Sequence, residues 1–184
     1  TEELPEVDCF LGVNEIPQLV SIVEGLLAGK KAQPALDQLY LYTGEEPRII
    51  TTPKGTALIK LAEGCNNRCA YCVIPSIRGQ YRSRPLEKIV AEAQRLVQDG
   101  ARELILVAQD TSFYGTDLYG QAKLPQLLRE LAQIPQLVWI RPLYFYPTRI
   151  TDELLEVIAT EPKVCNYIDL PLQHASKKIL SLMG

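Results

Sequence analysis

The chain has 184 residues, of which 47% are hydrophobic and 22% charged, and its formal net charge is −3. This composition is typical of a soluble globular protein with enough length for one sizeable core. No apolar run approaches the roughly 20 residues that a bilayer requires, the acidic start is not a signal peptide, and the negative charge excludes a general attraction to nucleic acid. Five cysteines, three of them in one loop, do not resemble a secreted disulfide framework, so we expect a reducing cytoplasm.

The first predicted element is a helix over residues 13–29. Its apolar side chains form a broad stripe, Pro17 suits the first turn and Gly29 suits the position just after the helix end. Residues 30–47 show no clear period and contain two prolines, which indicates a linker. We therefore expect a domain boundary near Gly44.

After this boundary, strands and helices alternate along the chain. The patterns predict strands over 57–62, 103–108, 137–143 and 166–170, and helices over 85–99, 123–133, 151–160 and 176–183. Four strand-then-helix units in a row favour an α/β fold with a parallel sheet, right-handed crossovers and a curvature compatible with part of a barrel.

Polar clusters follow all four predicted strands. They are Cys65–Cys72, Gln109–Asp110, Tyr144–Tyr146 and Gln173–His174. Ligand-binding residues in parallel α/β folds collect at the carboxyl ends of the strands. We therefore expect these clusters to meet at one edge of the sheet.

The most specific motif is the C-x3-C-x2-C loop formed by Cys65, Cys69 and Cys72. Three thiolates can hold three irons of an iron–sulfur cluster and leave a fourth iron open to a small molecule. A structural zinc site is the alternative, with a fourth ligand drawn from Cys9, Cys165 or His174. Three free core thiols are the remaining interpretation, and the spacing alone leaves these alternatives open.

Other charged residues have two interpretations each. Arg141 lies within an apolar strand, where a buried guanidinium needs a carboxylate partner from the protein or from a bound ligand. His174 is the only histidine, and a lone histidine is more often structural than catalytic. The basic residues Arg78, Arg82 and Arg84 form either a solvated face or a surface that meets an acidic substrate or ribosomal RNA.

Longer stretches carry a family resemblance. The run CNNRCAYCVIPSIRGQYRSRP resembles the radical S-adenosylmethionine (radical SAM) enzymes and, within them, the methylthiotransferases. LVAQDTSFYGTDLYG, WIRPLYFYP and YIDLPLQHAS extend the resemblance over most of the chain. Ala108-Gln109-Asp110 replaces the Gly-Gln-Asn type of sequence expected in the tRNA-modifying branch. The chain is therefore similar to the branch that methylthiolates an aspartate of a small-subunit ribosomal protein.

The resemblance implies a cofactor set and a mechanism. Cys65, Cys69 and Cys72 would hold a 4Fe–4S cluster whose open iron chelates the amino and carboxylate groups of S-adenosylmethionine. One electron would cleave the sulfonium, and the resulting 5′-deoxyadenosyl radical would take a hydrogen from the β-carbon of the target aspartate, which then receives a methylthio group. The cofactor-binding residues expected beside the cysteines are Tyr71, Gln109, Arg141 and Gln173, while no catalytic acid or base is assigned.

The resemblance also implies that the chain is an internal piece of a larger enzyme. Residues 1–44 would be the remnant of an α/β N-terminal methylthiotransferase domain with its linker, and residues 45–184 a partial radical SAM barrel of about four βα units. A second 4Fe–4S cluster is expected in the full-length enzyme, with its ligands absent here. Expected partners are the ribosomal protein, ribosomal RNA and an electron donor such as flavodoxin or ferredoxin, with no membrane.

Two other functions compete with this prediction. A tRNA-base methylthiotransferase would share the same cofactors and fold. A zinc-stabilised module that binds RNA or a ribosomal surface would use the cysteines as structural ligands. The first differs in its substrate and the second in its metal.

Overall fold

The computed structural model describes residues 4–30 and 40–183. The chain divides into two compact units, the first ending at Leu41 and the second beginning at Tyr42. This division lies close to the boundary predicted near Gly44. Residues 31–39 of the predicted linker lie outside the described residues. None of the helices in the described ranges is long and apolar enough to cross a membrane.

The first unit contains a 3-10 helix, Val13–Gln18, that continues into helix α1, Leu19–Leu27. The prediction of one helix over 13–29 therefore needs a correction. Pro17 lies inside the 3-10 segment, and a proline has no N–H to donate and clashes with the carbonyl of the preceding turn. The α-helix begins only after this proline. Gly29 has φ 75°, and the N–H of Lys30 donates to the carbonyl of Gly25 at 2.9 Å, which completes the predicted C-terminal cap.

The second unit is built on a parallel sheet. The strands are β1 Thr56–Lys60, β2 Ala62–Glu63, β3 Arg82–Ser83, β4 Glu103–Val107 and β5 Trp139–Pro142. The sheet has the order β1-β4-β5 and is parallel throughout, while β2 and β3 form a separate antiparallel ribbon. The helices are α2 Ile74–Arg78, α3 Leu86–Gln98, α4 Thr116–Tyr119, α5 Leu124–Ala132, α6 Asp152–Thr160 and α7 Lys177–Met183. Three parallel strands with intervening helices confirm the predicted α/β class.

The core lies on one face of this sheet. Alternate strand residues, among them Ile59, Leu106 and Ile140, are fully buried and belong to the same apolar cluster as the inner faces of α3, α5 and α6. Each such side chain stabilises the fold by about 1.5–3 kcal/mol relative to an exposed one. The other face is largely uncovered among the described residues, as Leu58 in the middle of β1 shows by being 37% exposed.

The fourth predicted strand, over 166–170, does not form. The neighbouring segment pairs with β5 only through an isolated bridge between Ile140 and Val164. The N–H of Ile140 donates to Lys163, and the N–H of Cys165 donates back to Ile140. The next donor from β5 on this side would be residue 142, which is a proline and has no N–H. The ladder therefore ends at this point.

Candidate functional site

The cysteine loop leaves the sheet after β1 and is closed at its base by the β2–β3 ribbon. Two hydrogen bonds join the ends of the loop. The N–H of Cys65 donates to the carbonyl of Gly79 at 3.2 Å, and the N–H of Tyr81 donates to Oδ1 of Asn66 at 2.9 Å. The ribbon and these bonds hold the first cysteine at the carboxyl end of β1.

The three cysteines line one cavity of about 180 Å³. Cys65 is buried, whereas Cys69 and Cys72 are half-buried, and none of the three forms a disulfide. Burial raises the pKa of the Cys65 thiol, the N–H of Asn67 opposes this effect, and the Asp110 carboxylate and the two other cysteines add to it. A bound cation would have the opposite effect and lower the pKa of Cys65, because positive charge stabilises the thiolate.

The cysteine loop places its three thiols around one cavity. A structural zinc requires four ligands around one centre. An iron–sulfur cluster instead bonds each thiolate to a different iron, so its ligands stand further apart. Three soft thiolates around one cavity therefore fit an iron–sulfur cluster with one iron left open.

The four polar clusters that follow the predicted strands do converge. The cavity of the cysteines is also lined by Gln109, by residues 144–146 and by Gln173. Oε1 of Gln109 is buried and has no hydrogen-bond partner among the described residues. An unpaired buried amide oxygen is costly, and native proteins satisfy such groups with a ligand or an ordered water. Gln109 therefore offers an acceptor to whatever occupies this cavity.

Backbone strain is concentrated at the same place. Among the described residues outside glycine, left-handed φ angles occur at Tyr144, with 63°, and at Gln173, with 57°. Both line the cavity of the cysteines. Each such conformation costs roughly 1–3 kcal/mol, and strain of this kind accumulates at functional sites. The two residues are thus held in place by their surroundings rather than by local preference.

A second cavity of about 370 Å³ adjoins the first. The larger one adds apolar side chains and His174, and the two share the wall residues Cys69, Tyr71, Tyr146, Pro171 and Gln173. Burial, and then the neighbouring Cys69 thiol, raises the pKa of both Tyr71 and Tyr146. The sequence singled out Tyr71 as a cofactor-binding residue but included Tyr146 only as a member of the Tyr144–Tyr146 cluster. The position of this cluster after a predicted strand was the available signal.

Arg141 is not brought to either cavity. Its Nε donates to Oε1 of Glu103 at 2.8 Å, and its guanidinium lies 5.8 Å from the ring centre of Tyr167. The hydrogen bond to Glu103 raises the pKa of Arg141. The carboxylate partner that the sequence demanded is therefore a protein side chain near the start of β4, on the uncovered face of the sheet.

The predicted basic face is largely used inside the fold. Arg78 pairs with Glu63 at 3.0 Å, and Arg84 is fully buried and pairs with Glu92 at 2.7 Å. Arg82 donates to backbone carbonyls of its own loop. These guanidinium groups hold the loop and the first residues of the second unit. They do not form the solvated face that was one of the two interpretations.

His174 has a local partner. Its Nδ1 accepts a hydrogen bond from the N–H of Ser176 at 2.9 Å, and the residue lies in the wall of the larger cavity. The hydrogen bond supports the turn that leads into α7. The structure thus gives His174 the structural role that a lone histidine most often has.

Comparison with known proteins finds a matching family model, similar sequences and a similar solved structure. The family model of the radical SAM superfamily matches residues 59–184. The chain is 55% identical over 185 residues to the ribosomal protein uS12 methylthiotransferase RimO of Moorella thermoacetica, and 52% identical over 183 residues to that of Desulforamulus reducens. It aligns over 99–100% of its own length but spans only 41–42% of theirs.

The fold comparison agrees with the family model. The radical S-adenosylmethionine methyltransferase TsrM of Kitasatospora setae superposes with a TM-score of 0.54 at 20% identity, over 70% of this chain and 24% of that one. At this identity the likeness concerns the fold alone. A cysteine loop after the first strand of a parallel α/β sheet, together with the family match over residues 59–184, shows that the chain belongs to the radical SAM superfamily.

Proposed function

We propose that the chain is the catalytic core of a radical SAM methylthiotransferase that modifies an aspartate of ribosomal protein uS12. The observation that carries this proposal is the single cavity lined by Cys65, Cys69, Cys72 and the unpaired Gln109. Identity of about one half to uS12 methylthiotransferases over nearly the whole chain supports the choice of substrate.

Three thiolates of one loop would hold the 4Fe–4S cluster, and the cavity beside them would take S-adenosylmethionine. Together the two cofactors supply hydrogen-atom abstraction from an unactivated carbon. Gln109 and Gln173 would hydrogen-bond the ribose or methionine part, and Tyr71 would form part of the wall. The largely apolar wall of the larger cavity, which includes Leu172 and Met183, would exclude water from the reaction.

The remaining expectations belong to the whole protein. The chain spans about two fifths of the relatives it matches, so complete methylthiolation, a second cluster and its sulfur chemistry are assigned to the longer enzyme. Residues 1–44 would belong to its N-terminal methylthiotransferase domain and residues 45–184 to its radical SAM domain. A flavodoxin or ferredoxin would supply electrons in the cytoplasm, and ribosomal RNA would lie near the bound substrate.

Anaerobic reconstitution with iron and sulfide tests the metal site. The wild-type chain should bind about four irons and four sulfides, the content of one 4Fe–4S cluster, and with a reductant should convert S-adenosylmethionine to 5′-deoxyadenosine. Cys69→Ala should lose both properties. Cys165→Ala is the matched control, because this half-buried cysteine lies outside the loop. A colourless wild-type protein holding one tight zinc would contradict the proposal and favour the zinc-stabilised binding module.

Mass spectrometry of the product tests the substrate. The complete enzyme should add a methylthio group to uS12 and leave tRNA nucleosides unchanged. Methylthiolated tRNA nucleosides with unmodified uS12 would instead assign the tRNA-base activity.

A further inference from the structure

Asp110 is a buried carboxylate that has no role in the proposed function. It lies three residues after the end of β4, is 2% exposed and lines neither of the two cavities described above. Buried carboxylates are retained only where several donors compensate the loss of water. The donors that surround Asp110 therefore show what it holds.

One donor comes from the cysteine loop. Nδ2 of Asn67 donates to Oδ2 of Asp110 at 3.2 Å, and the backbone N–H of the same Asn67 points to Sγ of Cys65 at 3.4 Å. Asn67 thus contacts the first cysteine through its backbone and the carboxylate through its side chain. The hydroxyl of Tyr81, at the far end of the loop, donates to the carbonyl of Asp110 at 2.8 Å. Both ends of the loop are therefore attached to this one residue.

The other donors are Arg149, in the chain that follows β5, and Ser112, two residues after Asp110. Nη1 of Arg149 forms an ion pair with Oδ2 of Asp110, and the guanidinium lies between the rings of Phe113 and Tyr146, at 4.6 and 5.1 Å from their centres. Ser112 donates to Oδ1 at 2.5 Å and accepts the N–H of Tyr146 at 3.1 Å. Tyr146 lines both cavities beside Cys69.

We propose that Asp110 is the positioning residue of the cysteine loop. Its carboxylate joins Asn67, beside Cys65, to Arg149 and through it to the Tyr146 wall beside Cys69. The contact with Asn67 fixes the position of Cys65, and the contact through Arg149 and Tyr146 fixes the wall beside Cys69. The two cysteines therefore keep the spacing that binds the cluster. This inference rests on the proposed cluster, since the positioned groups are its ligands.

The test measures iron loss from the reconstituted protein to a chelator under anaerobic conditions. Asp110→Ala should accelerate iron loss by roughly 10–100-fold, the range typical of residues that orient metal ligands. Glu103→Ala is the matched control, because Glu103 is likewise a carboxylate paired with an arginine but lies at the start of β4, at the opposite end of the strand from the cysteine loop. It should leave the rate of iron loss unchanged.

A second variant separates positioning from folding. Asn67→Ala removes only the donor of the loop, and it should accelerate iron loss while the thermal unfolding of the metal-free protein stays close to that of the wild type. Both substitutions remove the same hydrogen bond between Asn67 and Asp110. The double variant should therefore lose iron no faster than Asp110→Ala alone. Additive effects, or a wild-type rate in Asn67→Ala, would overturn the inference. A wild-type protein that binds no iron would instead contradict the proposed function itself, and the inference with it.

Discussion

Gly64, which precedes the first cysteine, is fixed by the space around it. Its φ is 77°, and a Cβ there would lie 2.1 Å from the carbonyl oxygen of Gln80, on the opposite side of the loop. Gly120 has a similar φ of 72° but open space around the same position. Both glycines therefore have a left-handed φ, but only at Gly64 would a Cβ clash with a neighbouring atom.

We therefore predict unequal costs for the two alanine substitutions in the metal-free protein. Gly120→Ala should lower the free energy of unfolding by about 1–2 kcal/mol, the cost of a left-handed residue with a Cβ. Gly64→Ala should cost about 1–3 kcal/mol more, because a backbone oxygen must move. Urea denaturation measures both values. Equal destabilisation would show that the contact with Gln80 is relieved without cost.

At this scale the sequence predicted the residues that a motif or a strand end marks. The cysteines, Gln109 and Gln173 share one cavity, as the strand ends indicated. Arg141 lines neither cavity, because it pairs with Glu103 on the neighbouring strand, and the sequence does not reveal this pairing. Asp110 went unassigned because its partners Asn67 and Arg149 are distant in the chain and meet it only after folding.

Helix α6 shows how a local signal defines an element. Thr151 precedes it, and Oγ1 of this residue accepts a hydrogen bond from the N–H of Leu154 at 3.2 Å. Thr151→Ala should lower the free energy of unfolding by about 1 kcal/mol, whereas Thr151→Ser should retain the cap. Chemical denaturation of the three proteins measures the difference. An alanine variant as stable as the wild type would show that other groups satisfy the helix end.

The long helices were predicted well because their apolar periodicity is strong. The structure places α3 at Leu86–Gln98 and α5 at Leu124–Ala132, within a residue or two of the predicted 85–99 and 123–133. The two-residue strands β2 and β3 are too short to show any period, although they close the cysteine loop. The strand predicted over 166–170 does not form for a non-local reason. Pro142 removes a hydrogen-bond donor from the neighbouring strand β5, not from the predicted strand.

For the whole molecule, two buried tyrosines predict loss of stability at alkaline pH. Burial, followed by the charge of Asp110, raises the pKa of Tyr81, and burial followed by Tyr119 raises the pKa of Tyr114. Above the unfolded value of about 10, the unfolded chain releases protons that the folded chain retains. Stability should therefore fall by about 1.4 kcal/mol per pH unit for each tyrosine.

Tyr81→Phe should remove one of these two contributions. At neutral pH it should cost about 1 kcal/mol for the lost hydrogen bond to Asp110, and above pH about 10 its stability should fall less steeply than that of the wild type. Tyr114→Phe should flatten the slope in the same way, because it removes the other tyrosine whose pKa is raised by burial. Urea denaturation across the alkaline range measures the slopes, and identical slopes for all three proteins would contradict the assignment.

The molecule as a whole places three cysteines, an unpaired amide and two strained residues at one edge of a parallel sheet. The central proposal is that the three cysteines hold a 4Fe–4S cluster whose fourth iron has no protein ligand. Electron paramagnetic resonance of the reduced, reconstituted protein tests this claim most directly. Addition of S-adenosylmethionine should change the spectrum of the reduced cluster, because the cofactor binds the open iron. A cluster spectrum that is identical with and without S-adenosylmethionine would contradict the account.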